Sequence, residues 1–157
     1  MKVLLINGSP HKDGCTYTAL AEVEKGLHDY AVETEWYWVG NKPVAGCIAC
    51  MHCRVSGECI YHDAVNDLNA RMQEFQGMVV GSPVYYAGPT GQICSFLDRL
   101  FFAGNAADKD GMLAASVVSC RRGGATAAFD RLNKYFTIAN MPVVSSQYWN
   151  MVHFYTG

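Results

Sequence analysis

The 157-residue sequence is poor in charge, has no marked surplus of either sign and contains no long apolar run. Only 17% of its residues are charged, and twelve Lys and Arg against fourteen Asp and Glu leave a formal net charge of −2. Nucleic-acid binders concentrate basic side chains, whereas here only Arg121 and Arg122 are adjacent, so a nucleic-acid partner is not expected. The longest largely apolar stretch, Met112 to Val118, is far short of the roughly 20 residues that cross a bilayer. The apolar run Val3 to Ile6 stops at Asn7 with no small-residue cleavage site after it, which argues against a secretory leader and for a cytoplasmic protein. Repeats, low-complexity tracts and linkers are absent as well, so residues 1–157 read as one domain. A chain of this length buries roughly 68–70% of its unfolded surface and needs no disulfide or metal merely to fold.

What the sequence does have is alternation. Val3 to Ile6 reads as a buried strand closed by Asn7-Gly8-Ser9-Pro10, and a helix is expected from Thr16 to His28. A second strand is predicted over Ala31 to Val39, with Val32, Thr34, Trp36 and Trp38 on one face. Residues 40–60 show no period and read as a long functional loop, a cysteine-rich insertion. Asp63 is a suitable N-cap for a helix running to Phe75. Met78 to Val80 forms a third strand, Thr90 or Gly91 opens a helix to Phe102, and Met112 to Val118 is a fourth strand. A helix from Thr126 to Ala139 and a fifth strand from Val143 to Tyr148 complete the pattern. Strands alternating with helices imply an α/β, doubly wound, five-stranded parallel sheet in the flavodoxin-like order 2-1-3-4-5. Such sheets end with a helix after the fifth strand, and only nine residues follow Tyr148. The C-terminal helix is therefore expected to be missing, through truncation or because another subunit covers that face.

The loop Gly8 to Thr16 sits between the first strand and the first helix. Helix N-terminal amides, Gly14, and the hydroxyls of Ser9, Thr16 and Thr18 would together cradle a phosphate. Gly14 is followed by Cys15-Thr16 rather than by Lys-Ser/Thr, so this is no Walker A loop, and GxGxxG is absent too. The second strand ends in aromatic residues instead of the acid that would hold a dinucleotide's ribose. No cysteine stands six residues before an arginine, as a small phosphatase would require. A terminal monophosphate such as that of FMN remains, beside the plainer reading of a Gly- and Ser-rich turn with Lys12 solvated.

The loop after the third strand, Gly81 to Thr90, is stiffened by Pro83 and Pro89 and carries Tyr85 and Tyr86. Ser82, Val84 and Gly88 complete a wall suited to an isoalloxazine ring, although tyrosines beside prolines also serve simply as packing. After the fourth strand, Arg121-Arg122-Gly123-Gly124 closes a third side. An arginine there could approach the flavin or a nicotinamide phosphate, or be solvated.

Seven cysteines are many for such a chain, and four of them fall within thirteen residues. Cys47, Cys50, Cys53 and Cys59 are spaced C-x2-C-x2-C-x5-C. Zinc sites usually separate two knuckles by twelve or more residues, so the compact spacing favours a [4Fe-4S] cluster over zinc. Cys15, Cys94 and Cys120 lie outside this set.

The segments GSPHKDGCT, CIACMHCRVSGEC, GSPVYYAGPTGQICSFLDRLF and RRGGA resemble the iron-sulfur flavoproteins of the NADPH-dependent FMN reductase superfamily, and the likeness spans essentially the whole chain. The resemblance implies a flavodoxin-like fold, bound FMN, a [4Fe-4S] cluster on the loop after the second strand, and a homodimer or homotetramer. It also implies electron transfer between a donor such as NAD(P)H or a ferredoxin-like protein and a small-molecule or protein acceptor. By motif position, Ser9, His11, Cys15 and Thr16 would hold the phosphate. Pro83 to Tyr86 and Gly88 would hold the ring, and Cys47, Cys50, Cys53 and Cys59 the cluster. The family often has Arg where His11 stands and Asn where Cys15 stands, so a weaker or pH-sensitive hold on the phosphate is expected. Two other readings stay open at this stage, a non-enzymatic electron carrier and a zinc-stabilised binding module.

Overall fold

The computed structural model describes residues 1–154. Five strands, β1 (Lys2–Asn7), β2 (Glu33–Trp38), β3 (Gly77–Pro83), β4 (Leu113–Cys120) and β5 (Met151–His153), pair in parallel in the order β2-β1-β3-β4-β5. The helices are α1 (Cys15–Asp29), α2 (His52–Ser56), α3 (Ala64–Ala70), α4 (Gly91–Ala103) and α5 (Ala125–Ile138). The expected α/β architecture and strand order are thus found.

Alternate residues of each central strand face opposite layers. Leu4, Ile6, Met78, Val80 and Val118 join Val65 and Leu68 of α3, Ile93, Phe96, Leu97 and Leu100 of α4, and Leu132 and Phe136 of α5 in the larger core. Val3, Leu5, Val79 and Val117 meet Leu20 of α1 in a smaller one, with Ala19, Val23 and Leu27 packed against it. Beside α1 this second face opens into an apolar groove of about 600 Å3, bordered by Val79, Ala115, Val117, Trp149 and Met151.

Several boundaries differ from expectation, each for a local reason. The second strand starts at Glu33, because Ala31 is left-handed (φ 55°) and the Val32 amide still bonds the Leu27 carbonyl of α1. The helix after Asp63 ends at Ala70, and Met72–Glu74 forms a separate 3-10 turn. The supposed loop 40–60 contains the short helix α2. The fifth strand is not Val143 to Tyr148. Val143 makes a single bridge to Ala114, and the chain rejoins the sheet only at Met151, opposite Val118. Between them Ser146 Oγ accepts from the Tyr148 amide and bonds Asn150 Oδ1 at 2.9 Å. Such local side-chain bonds compete with a ladder and carry the backbone outward.

Candidate functional site

The carboxyl ends of β1 and β3 lie side by side, and the Gly8 amide donates to the Gly81 carbonyl at 2.8 Å. Both positions demand glycine. A Cβ on Gly8 would stand 2.7 Å from Ile93 Cβ, and one on Gly81 would stand 2.7 Å from Leu20 Cδ1 and 2.9 Å from Thr16 Cγ2. The loop leaving β1 is folded by its own side chains. Asn7 Nδ2 donates to the Lys12 carbonyl, Asn7 Oδ1 accepts from the Ser9 amide, and Ser9 Oγ accepts from the His11 amide. Trp38, the last residue of β2, donates its indole N–H to the Ser9 carbonyl at 2.8 Å. Helix α1 then begins after Gly14 with no side chain capping it, which leaves its positive end available to an anion.

The loop leaving β3 makes a tight reversal. Tyr85 and Gly88 exchange both backbone hydrogen bonds, and Tyr86 (φ 50°) and Ala87 (φ 61°) between them are left-handed. A turn of this form ordinarily takes Asn-Gly, so Tyr-Ala there is held under strain of the kind that gathers at functional sites. The Gly124 backbone (φ 101°) abuts it, and a Cβ at that position would lie 2.8 Å from Ala87 Cα.

Together these loops enclose a cavity of about 950 Å3, within the roughly 300–1,000 Å3 typical of small-molecule sites. Of the residues expected from the sequence, Ser9, His11, Gly14, Cys15, Thr16, Pro83, Val84, Tyr85 and Arg121 line it. The others stand elsewhere. Thr18 borders the apolar groove beside α1 and turns its hydroxyl back to the Gly14 carbonyl. Ser82 is buried, accepting from the Thr90 amide and donating to the Pro83 carbonyl, so it builds the loop from within. Tyr86 is fully exposed, Gly88 closes the turn, and Gly123 is absent from the lining. Trp38, Asn41, Ser119, Cys120 and Phe154 line the cavity without having been singled out. Ser119 bonds Thr16 Oγ1 at 2.8 Å in the buried floor, and burial pushes the Cys120 thiol above its usual pKa. Trp38, Ser119 and Cys120 stand at strand carboxyl ends, the position where α/β sheets place their ligands, and that was the signal available for them.

A second, smaller hollow lies under the residue 40–60 loop. Cys47, Cys50, Cys53 and Cys59 all line it, with Ile48, Ile60, Tyr61, Phe102 and Ala103 between them. Ala49 (φ 52°) and Met51 (φ 59°) are left-handed on either side of Cys50. Cys53 lies on α2, whose Arg54 guanidinium stacks 4.7 Å from the Phe102 ring centroid of α4. Among the described residues, no group of three His, Cys, Asp or Glu stands close enough to hold a single metal ion. Soft thiolates without a competing oxygen donor suit a sulfur-bridged iron cluster. The unforeseen member of this hollow is Arg99 of α4, a wholly buried side chain whose Nε lies 3.2 Å from Cys59 Sγ. In the sequence it was one charged residue in an otherwise apolar helical stripe.

The chain is similar to an iron-sulfur flavoprotein of Methanocaldococcus jannaschii, 32% identical over 147 residues that cover 92% of this chain and 76% of the relative. An iron-sulfur flavoprotein of Methanosarcina thermophila is 29% identical over 147 residues, 92% of this chain and 77% of the relative. Among solved structures, the flavoenzyme NAD(P)H:(acceptor) oxidoreductase FerB from Paracoccus denitrificans shares the fold with a TM-score of 0.68 at 20% identity, over 95% of this chain and 78% of that one. The family described as NADPH-dependent FMN reductase matches residues 1–156. The chain therefore belongs to the NADPH-dependent FMN reductase family, oxidoreductases here built on a flavodoxin-like sheet.

Proposed function

We propose that the larger cavity binds FMN and the cysteine hollow a [4Fe-4S] cluster, making the chain an oxidoreductase that takes electrons from NAD(P)H or a ferredoxin-like donor and passes them to a small-molecule or protein acceptor. The observation that carries this reading is the uncapped start of α1 facing the Pro83 to Tyr85 wall across one cavity at the β1/β3 switch point. A bound flavin converts between two-electron hydride donors and one-electron carriers.

The chain's own residues bind and orient. Ser9 and His11, with Gly14, Cys15 and Thr16 at the helix start, form the phosphate end. Pro83, Val84 and Tyr85 form the ring wall, and Arg121 stands near its rim. Trp38 fixes the Ser9 backbone from the β2 side, and the Thr16–Ser119 pair braces the floor. Cys47, Cys50, Cys53 and Cys59 would ligate the cluster, and their compact spacing in one loop favours an iron-sulfur centre over zinc, whose sites usually separate two cysteine knuckles by twelve or more residues. The printed names of the relatives, iron-sulfur flavoprotein in each case, support the same assignment.

The test is an absorption spectrum and metal analysis of protein purified without oxygen, followed by addition of NADPH or NADH. Flavin bands together with iron and sulfide, and bleaching of the flavin by nicotinamide, are expected. Protein that neither retains nor rebinds FMN sinks the first assignment. Zinc in place of iron sinks the second. Flavin that no nicotinamide bleaches points to an electron carrier.

A further inference from the structure

Helix α4 packs Ile93, Phe96, Leu97, Leu100 and Ala103 into the core, and Arg99 is buried as completely as they are. An apolar residue of similar volume is the ordinary occupant of such a position. Replacing buried ion pairs with apolar groups is often neutral or stabilising, so a buried arginine is weak evidence for a purely structural role. What its guanidinium touches is specific. Nη1 and Nη2 form a fork with the Asp63 carboxylate at 2.7 and 2.8 Å, which satisfies the charge. The remaining donors go to the cysteine loop: Nη1 to the Ala45 carbonyl at 3.5 Å, Nη2 to the Tyr61 carbonyl at 3.2 Å, and Nε to Cys59 Sγ at 3.2 Å. One rigid group therefore grips the loop on both sides of its cysteines, two residues before Cys47 and two after Cys59. Asp63 is itself fixed, since its Oδ1 caps α3 through the Val65 amide.

We propose that Arg99 is the positioning residue of the four-cysteine centre, closing the loop around it and raising its reduction potential through the Nε–H···Sγ bond to Cys59. The inference rests on the reading of the hollow as an iron-sulfur site. Reduction adds one electron to the centre and neither forms nor breaks a bond in the chain. A donor on a ligand sulfur and a cation beside it favour the more negative, reduced state, and hydrogen bonds to sulfur are among the factors that set such potentials. Lysine does not substitute, because an ammonium cannot present a planar fork to Asp63 and a third directed N–H to sulfur at once.

The experiment compares anaerobically purified full-length wild type, Arg99→Lys, Arg99→Met and Asp63→Asn by iron and sulfide per chain, flavin per chain and the midpoint potential of the iron-sulfur centre. Arg99→Lys is expected to keep its flavin and bind iron with a more negative midpoint. Arg99→Met is expected to lose iron or to move further negative. Asp63→Asn retains a capping side chain but removes the neutralising carboxylate, which leaves more of the Arg99 charge for Cys59, so its midpoint is expected to move positive. Opposite signs for the two sides of one ion pair are not produced by general loosening. Should Arg99→Met fail to fold, Arg99→Lys and Asp63→Asn decide. Unchanged midpoints, or shifts of the same sign in both, overturn the role of Arg99 while leaving the cluster assignment standing. Flavin-loaded wild type without iron overturns the cluster assignment, and this inference with it.

Discussion

Trp38 donates its indole N–H to the Ser9 carbonyl across 2.8 Å, so the last residue of β2 holds the loop that follows β1. Trp38→Phe keeps an aromatic wall but leaves that carbonyl unpaired from this side. A net hydrogen bond is worth about 1 kcal/mol, which corresponds to roughly fivefold weaker FMN binding. Titrating flavin-free protein with FMN and following the quenching of flavin fluorescence checks this. Unchanged affinity would mean that the Ser9 backbone is set without Trp38.

The turn at Tyr86-Ala87 depends on a neighbour as well as on itself. Gly124→Ala would place a Cβ 2.8 Å from Ala87 Cα at a backbone φ of 101°, with no flexible side-chain end to yield. A loss of about 1–3 kcal/mol is expected, the usual scale of a non-glycine residue forced into such a conformation together with a backbone clash. For a domain of this size that is a fall in Tm of roughly 3–10 °C. The complementary change, Ala87→Gly, relaxes a left-handed alanine, and its Tm should hold or rise. A Gly124→Ala protein as stable as wild type contradicts the assigned contact.

Strand order and the outlines of both loops were legible because they are written in local signals: apolar runs of strand length, Gly-Ser-Pro at strand ends, and cysteines at steps of three. The fifth strand was misplaced because Val143 to Tyr148 carries the right composition, while the pairing is decided by Ser146 and Asn150 bonding within the excursion. Ser82 and Thr18 were assigned to the cavity by proximity in sequence, yet each hydroxyl is committed to a backbone carbonyl. Arg99 was invisible for the opposite reason. Its partners Ala45, Cys59, Tyr61 and Asp63 lie 36 to 54 residues away, and nothing in a helical stripe announces which long-range groups will meet it.

Acid should weaken one edge of the sheet first. Glu35 on β2 accepts a fork from Arg71 at 2.8 Å and an ion pair from Lys2 at 2.6 Å. The Arg71 hydrogen bonds, then that of Lys2, hold its carboxyl at a pKa of about 2 against 4.5 for the free group. A depressed folded-state pKa contributes stability that is fully present above about pH 4.5 and disappears as pH falls toward 2. Because the network is largely solvated, the contribution is about 1 kcal/mol rather than the full linkage value. Glu35→Gln should therefore be less stable than wild type at pH 7, with the gap in urea midpoints closing between pH 4.5 and 2. A gap independent of pH would assign the effect to packing.

Not all seven cysteines should behave alike. Cys47, Cys50, Cys53 and Cys59 share the hollow beneath the residue 40–60 loop, while Cys94 lies on α4 near Asp98 and Arg131, where burial chiefly raises its thiol pKa. A cluster loses most of its affinity when any one thiolate is removed, because the remaining three must share the charge and a position opens to water. Each of Cys47→Ala, Cys50→Ala, Cys53→Ala and Cys59→Ala is expected to lower iron per chain by tenfold or more without reducing flavin per chain. Cys94→Ala should leave both unchanged and cost stability alone, about 1 kcal/mol for a half-buried sulfur. The contrast between iron and flavin separates the two sites, since unfolding would remove both together. Iron retained in all four single variants would remove the cysteines from the ligand set. Loss in only some of them would single out a position filled by another donor, and His52 and His62, close in sequence to Cys53 and Cys59, are the next residues to change.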